Sequence, residues 1–197
     1  MMKKIAIFVD NLHVGGIQRS IANLLRNIDY SLYEVDLYLF DNDNFYDLPE
    51  NANVIYLKKP AGINKFIPFR IVKRIMKIDF LDKEYDLAID FDSYQMHTAV
   101  GALNVKAKKR AIWIHNDVPI KLKEEPKYRI LHFFFKSKYN YFDALCAVSK
   151  GALDSFKTLM DCSQKSCFVV PNYIDTSEIK EKMEEKCDLQ IDEAKIN

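Results

Sequence analysis

Apolar and polar positions along this chain fall into blocks. Lys3-Lys4 leads Ile5-Ala6-Ile7-Phe8-Val9, a run rich in β-branched residues that Asp10-Asn11 breaks. It is too brief for a helix and predicts a strand buried on both faces. From Ile17 the apolar residues recur at Ile17, Ile21, Leu24, Leu25 and Ile28, with Arg19, Asn23 and Arg26 outside. That is the spacing of one helical face. Gly15-Gly16 lies between the two elements and is expected to permit backbone angles closed to other residues. Further strands are predicted at 34–40, 54–57, 86–90, 109–114, 143–148 and 167–170. Helices are predicted from Pro68, over about 94–103, over 126–141, and from a Ser149 cap to about 160. Asp175-Thr176-Ser177-Glu178 reads as one more helix start.

Strands alternating with helices predict an α/β fold, a Rossmann-like three-layer sandwich with a mostly parallel sheet of about seven strands. Residues 1–172 form the expected domain, and the charged, weakly apolar 173–197 reads as a connector.

Composition narrows the class. Of 197 residues, 49% are hydrophobic and 29% charged, an ordinary globular balance. A formal net charge of +1 argues against a nucleic-acid binder driven by global charge. Cys146, Cys162, Cys167 and Cys187 show no C-x-x-C and no metal-ligand spacing, so reduced thiols of a cytoplasmic protein are expected, with Cys146 in the core and no metal. The first apolar run is too short for a signal peptide, and none approaches the roughly 20 residues of a membrane span.

Candidate chemistry gathers at strand ends. In a parallel sheet of this kind Gly15-Gly16, Asp92-Ser93, His115-Asn116, Ser149-Lys150 and Asn172 all reach the carboxyl edge, where open α/β sheets bind ligands. Free amides at the start of the first helix favour an anion there. The glycine pair matches neither G-x-G-x-x-G nor a P-loop, since Gln18-Arg19 follow. It equally suits close packing of helix on strand. His115 reads as structural or catalytic with equal weight.

Two other segments stand out. Arg70, Lys73, Arg74 and Lys77 share helical spacing in a stretch without an acidic residue from Lys58 to Lys77. A solvated face and contact with an anionic membrane surface are the two readings. Tyr128, Phe133, Phe134, Phe135, Tyr139 and Tyr141, interleaved with lysines, form either core or a membrane- or acceptor-facing surface.

Five motifs in order, Lys4-Ile5-Ala6-Ile7-Phe8-Val9-Asp10 with Gly15-Gly16-Ile17-Gln18-Arg19, Asp86-Leu87-Ala88-Ile89, Trp113-Ile114-His115-Asn116, Ala147-Val148-Ser149-Lys150 and Val169-Val170-Pro171-Asn172-Tyr173-Ile174-Asp175, give the chain its character. Together they resemble the N-terminal domain of a family 4 glycosyltransferase of the GT-B type. The resemblance implies half of a two-domain fold. The N-terminal domain mainly holds the acceptor, an absent C-terminal domain binds the nucleotide-sugar donor, and transfer retains configuration without a cofactor. It implies the Gly15-Gly16 amides near donor or acceptor phosphate, His115 near the transferred sugar, and Asn172 at the interdomain hinge. Asp92, Ser93, Asn116, Ser149 and Lys150 complete the expected binding rim. Gln18-Arg19 stands where the family often has Gly-Gly-x-Glu, and Tyr173 replaces the glycine of Pro-Asn-Gly-Val-Asp.

The expected function is acceptor binding in a hexosyl transfer serving envelope or capsular polysaccharide, with a glycan or lipid-linked acceptor. The fragment alone is expected to be inactive, cytoplasmic, and peripheral on the inner membrane face. A non-catalytic glycan- or phosphate-binding module, half of a split transferase, is the alternative.

Overall fold

The computed structural model describes residues 2–60, 66–76, 78, 80 and 82–185. Seven strands, β1 (Lys3–Val9), β2 (Tyr33–Leu39), β3 (Asn53–Tyr56), β4 (Glu84–Asp90), β5 (Lys106–Ile114), β6 (Ala144–Ala147) and β7 (Ser166–Val169), form one sheet in the order β3-β2-β1-β4-β5-β6-β7. Every neighbouring pair is parallel, with Phe8 opposite Tyr38 on one side and Asp90 on the other. The sheet is wholly rather than mostly parallel. Strand order reverses between β1 and β4, which leaves a crevice at their carboxyl ends.

Helices lie on both faces. α1 (Gly16–Asn27) covers one, burying Ile21 and Leu25 against Ile7, Val9, Val35 and Leu37. Full burial of side chains this size contributes about 1.5–3 kcal/mol each. The opposite face carries α2 (Phe69–Ile75), α3 (Met96–Asn104), α4 (Val118–Glu124), α5 (Pro126–Phe135) and α6 (Lys150–Lys157). α7 (Thr176–Met183) follows β7. α3 is buried from Met96 to Leu103, and a Cβ at Gly101 would stand 2.5 Å from Phe8 Cδ1, so this helix lies directly on β1.

Three local expectations change. β5 begins at Lys106, earlier than the apolar pattern shows, because Lys106–Lys109 pair with Glu84–Leu87 at a polar end of the sheet. α4 is a helix the pattern does not announce. It spans seven residues and buries only Val118, but the Asp117 carboxylate caps it by accepting from the Ile120 amide at 3.0 Å. Gly15 is extended (φ 177°, ψ 160°), so the turn before α1 does not need glycine for a left-handed angle. Cys146 is core as expected, and the three cysteines among the described residues are free thiols. Cys187 lies outside the described residues.

Candidate functional site

Asp10, the first residue past β1, sits at the strand-order reversal and is almost wholly buried. Its amide donates to Asp92 Oδ2 at 3.3 Å, and its carbonyl accepts from the Phe40 amide at 3.0 Å. The ends of β1, β2 and β4 are thereby tied together. Its Oδ1 meets His97 Nε2 at 2.6 Å and Lys59 Nζ at 2.7 Å. Burial opposes ionisation of Asp10, but hydrogen bonds and attraction from His97 and Lys59 outweigh it and hold the carboxyl well below the usual range.

Behind Asp10 lies a second group of buried charges. Lys138, at 2% exposure, donates from Nζ to the Ser93 carbonyl and lies near Asp90 and Asp92. Burial pushes the Lys138 ammonium down and the Asp90 carboxyl up. Asp92 rises to about 6, through burial and then repulsion from Asp90 and Asp10. Ser93 adopts φ 56°, a conformation unfavourable for a residue with a side chain. Its amide is held by Asp90 Oδ1 at 3.1 Å. Tyr94 and Gln95, which follow that turn, are half-buried. Among the described residues no three His, Cys, Asp or Glu side chains are arranged to hold a metal ion.

Lys59 and His97, the two partners of Asp10 Oδ1, line a cleft of about 570 Å³. Its polar lining is Lys59, Tyr94, Gln95, His97, Lys121, Glu125, Lys127 and Tyr128, and its apolar lining includes Met76, Leu131 and Phe135. Lys121 lies 4.2 Å from the Tyr94 ring centre and 5.1 Å from that of Tyr128. Of the three lysines lining the cleft, Lys59 pairs with Asp10 at 2.7 Å and Lys121 with Glu125 at 3.7 Å. The cleft thus combines positive charge, aromatic faces and an apolar wall, a combination suited to a hydroxylated ligand bearing an anionic group.

The residues singled out in the sequence reach this edge by different means. Gly15 and Gly16 open α1, whose start has no side-chain cap, and open space lies where a Gly16 Cβ would be. Tyr46 Oη donates to the Gly15 carbonyl at 3.2 Å, and Gln18 Nε2 reaches Asn11 Oδ1 at 3.5 Å. Arg19 is exposed. Asp92 and Ser93 are buried and brace the turn. His115 Nε2 hydrogen-bonds the Phe91 carbonyl at 2.7 Å while its ring packs on Phe91. Burial lowers its pKa to about 4, so the imidazole is neutral near pH 7 and donates through Nε2. Asn116 Nδ2 donates to the Tyr94 hydroxyl. Ser149 Oγ caps α6 by accepting from the Ala152 amide at 3.1 Å, and Lys150 is exposed beside it. Asn172 Oδ1 accepts from Ser20 Oγ at 2.7 Å, which fastens the segment after β7 onto α1.

Arg70 and Arg74 are exposed on α2, and Lys73 leans over the Tyr141 ring at 4.4 Å. Lys77 lies outside the described residues. In the aromatic segment Tyr139 lies in the core, Tyr128 and Phe135 line the cleft, and Phe133 is exposed. Lys59, His97, Lys121 and Lys138 escape sequence reasoning. They sit in different segments with no spacing pattern among them, and only the folded chain brings them to one place.

A family model described as Glycosyltransferase Family 4 matches residues 14–178. Among solved structures, Anabaena HepE in complex with UDP-glucose superposes with TM-score 0.53 at 12% identity, over 91% of this chain and 49% of that one. Phytolacca americana apo UGT2 superposes with TM-score 0.50 at 11% identity, over 93% of this chain and 55% of that one. The chain therefore spans about half the length of these structures. No curated protein matches it in sequence.

Proposed function

Because the chain belongs to Glycosyltransferase Family 4, we propose that it is the acceptor-binding, N-terminal half of a GT-B transferase that moves a hexosyl unit from a nucleoside-diphosphate sugar with retention. The observation that carries this reading is the cleft at the β1/β4 reversal, with Lys59, His97 and Lys121 set among Tyr94 and Tyr128. Hydroxyl-bearing acceptors pack against aromatic faces, and the lysines meet negative charge on the acceptor or on the departing diphosphate. The UDP-glucose complex of the similarly folded Anabaena protein supports a nucleotide sugar as the donor.

In this reading the donor is gripped mainly by a second domain facing the carboxyl edge, and this half alone turns over poorly. The open start of α1 at Gly15-Gly16, flanked by Gln18 and Arg19, meets phosphate. His115 lies beside the transferred sugar as a neutral hydrogen-bonding group, with Asn116, Ser149 and Lys150 on the same rim. Asn172 anchors the hinge. Envelope or capsular polysaccharide is the proposed product, made on the inner face of the cell membrane.

The test is release of nucleoside diphosphate when the complete protein is incubated with UDP-glucose and other nucleotide sugars plus glycan acceptors. Product anomers are read by NMR. Acceptor-dependent release with retained configuration supports the reading. Binding of glycans by this domain without release from any donor makes it a non-catalytic module instead.

A further inference from the structure

Three of the four cysteines gather at one edge of the sheet. Cys146 lies on β6, and Cys167 lies on β7, the edge strand beside it. Cys162 stands in the turn that leads from α6 into β7, which the Lys165 amide closes by donating to the Cys162 carbonyl at 3.0 Å. The ladder then sets Cys167 opposite Leu145. Turn and register together bring the Cys162 and Cys167 sulfurs within hydrogen-bond reach of each other. All three cysteines are free thiols.

The pair is open to solution. Cys162 and Cys167, with Lys157 and Lys165, line a surface cavity of about 380 Å³. Cys167 is half-buried, whereas Cys162 is 9% exposed. Their thiols are otherwise held only weakly. Cys162 Sγ donates to the Met160 carbonyl at 3.5 Å, and Cys167 Sγ to the Lys165 carbonyl at 3.8 Å. Burial, and then Cys167, raises the Cys162 thiol, while the Lys157 and Lys165 ammonium groups draw it back toward the thiolate. Cys146 does not line this cavity. It is pushed up to about 11, mainly by burial, and stays a thiol near neutral pH.

We propose that Cys162 and Cys167 form an oxidation site, a dithiol that glutathione disulfide converts to an intramolecular disulfide. The more exposed Cys167, as thiolate, attacks one sulfur of glutathione disulfide. It expels a glutathione thiolate, which takes up the proton that Cys167 released. Cys162 then attacks the Cys167 sulfur of the mixed disulfide and expels the second glutathione, which receives the Cys162 proton. The protein gives up two electrons and two protons, and the oxidant leaves as two glutathione thiols. The new bond staples the α6–β7 turn to the edge strand and restricts the unfolded chain, so the oxidised protein is the more stable form. This site does not depend on the transferase reading.

The test incubates the reduced, purified protein with glutathione disulfide at about pH 8, where thiolate is populated. Remaining thiols are then blocked with iodoacetamide, and the protein is digested with trypsin without reductant. Trypsin cuts after Lys157, Lys165 and Lys180, so Cys162 leaves on peptide 158–165 and Cys167 on 166–180, with Cys146 and Cys187 on two others. A linked 158–165/166–180 pair that dithiothreitol separates is expected. The melting temperature should rise by roughly 5 °C on oxidation. Cys162→Ser should stop at the mixed disulfide, with one glutathione on Cys167, and Cys167→Ser should leave Cys162 to iodoacetamide. Alkylation of both cysteines in the treated wild type overturns the site. So does a link from either of them to Cys146, to Cys187 or to a second chain. Glutathione on Cys162 in Cys167→Ser overturns the order of attack, and an unchanged melting temperature overturns the staple.

Discussion

His97 Nε2, on the cleft lining, lies 2.6 Å from Asp10 Oδ1 and joins the first turn of α3 to the end of β1. The contact spans 87 residues of chain. Both partners are buried, so removing one leaves the other short of a charge-assisted bond.

His97→Ala is therefore expected to destabilise the protein by about 2 kcal/mol at neutral pH, less than for a lone buried pair because Lys59 still meets Asp10. The sign with pH follows from Asp10. Its folded-state pKa is depressed, so its contribution is present above the ordinary carboxylate value and fades as pH falls toward the folded one. Urea unfolding should show a wild-type–variant gap that narrows below about pH 4.

Asp92 behaves in the opposite sense. Its pKa is raised to about 6, so the folded state binds its proton more tightly than the unfolded chain does. Stability is lost as pH rises from the ordinary carboxylate value to about 6, and the penalty persists above. Asp92→Asn keeps an oxygen for the Asp10 amide and removes the charge. It should stabilise the protein by up to about 3 kcal/mol above pH 6 and have little effect below pH 4. Thermal melts at the two pH values check this.

His115→Ala in the complete protein should lower transfer by on the order of tenfold or more, and it should also lower the melting temperature, because the variant loses the ring packed on Phe91 and leaves the Phe91 carbonyl without its partner. With its pKa near 4, the imidazole is already neutral across the physiological range. The wild-type rate should accordingly show no inflection from this residue between about pH 5 and 8. A titration in that range that disappears in the variant would contradict the neutral imidazole.

At the start of α1 the two glycines predict different outcomes. A Cβ at Gly16 meets nothing within 4 Å, whereas one at Gly15 would stand 2.3 Å from Gln18 Oε1. Gly16→Ala should leave stability within about 0.5 kcal/mol, yet raise KM several-fold on the proposed reading, in which a phosphate meets these amides. Gly15→Ala should displace Gln18 from Asn11. Paired melting curves and steady-state kinetics separate the two effects.

The sequence by itself determined the sheet. Buried parallel strands are continuous apolar runs and α1 is strongly amphipathic, so the seven strands and the main helices follow from local pattern. It also located the rim, because short polar groups stop each run at the carboxyl edge. Tertiary structure alone decided what each rim residue does. Asp92 and Ser93 brace a turn, Ser149 caps a helix, and Asn172 holds the exit of β7 against Ser20. It alone assembled Asp10, His97 and Lys59, and it alone brought Phe66 against Phe134. Periodicity reports which face of an element is buried, and it carries no information about which distant element supplies the partner charge. That partner is chosen by the strand order, and strand order is a property of the folded sheet.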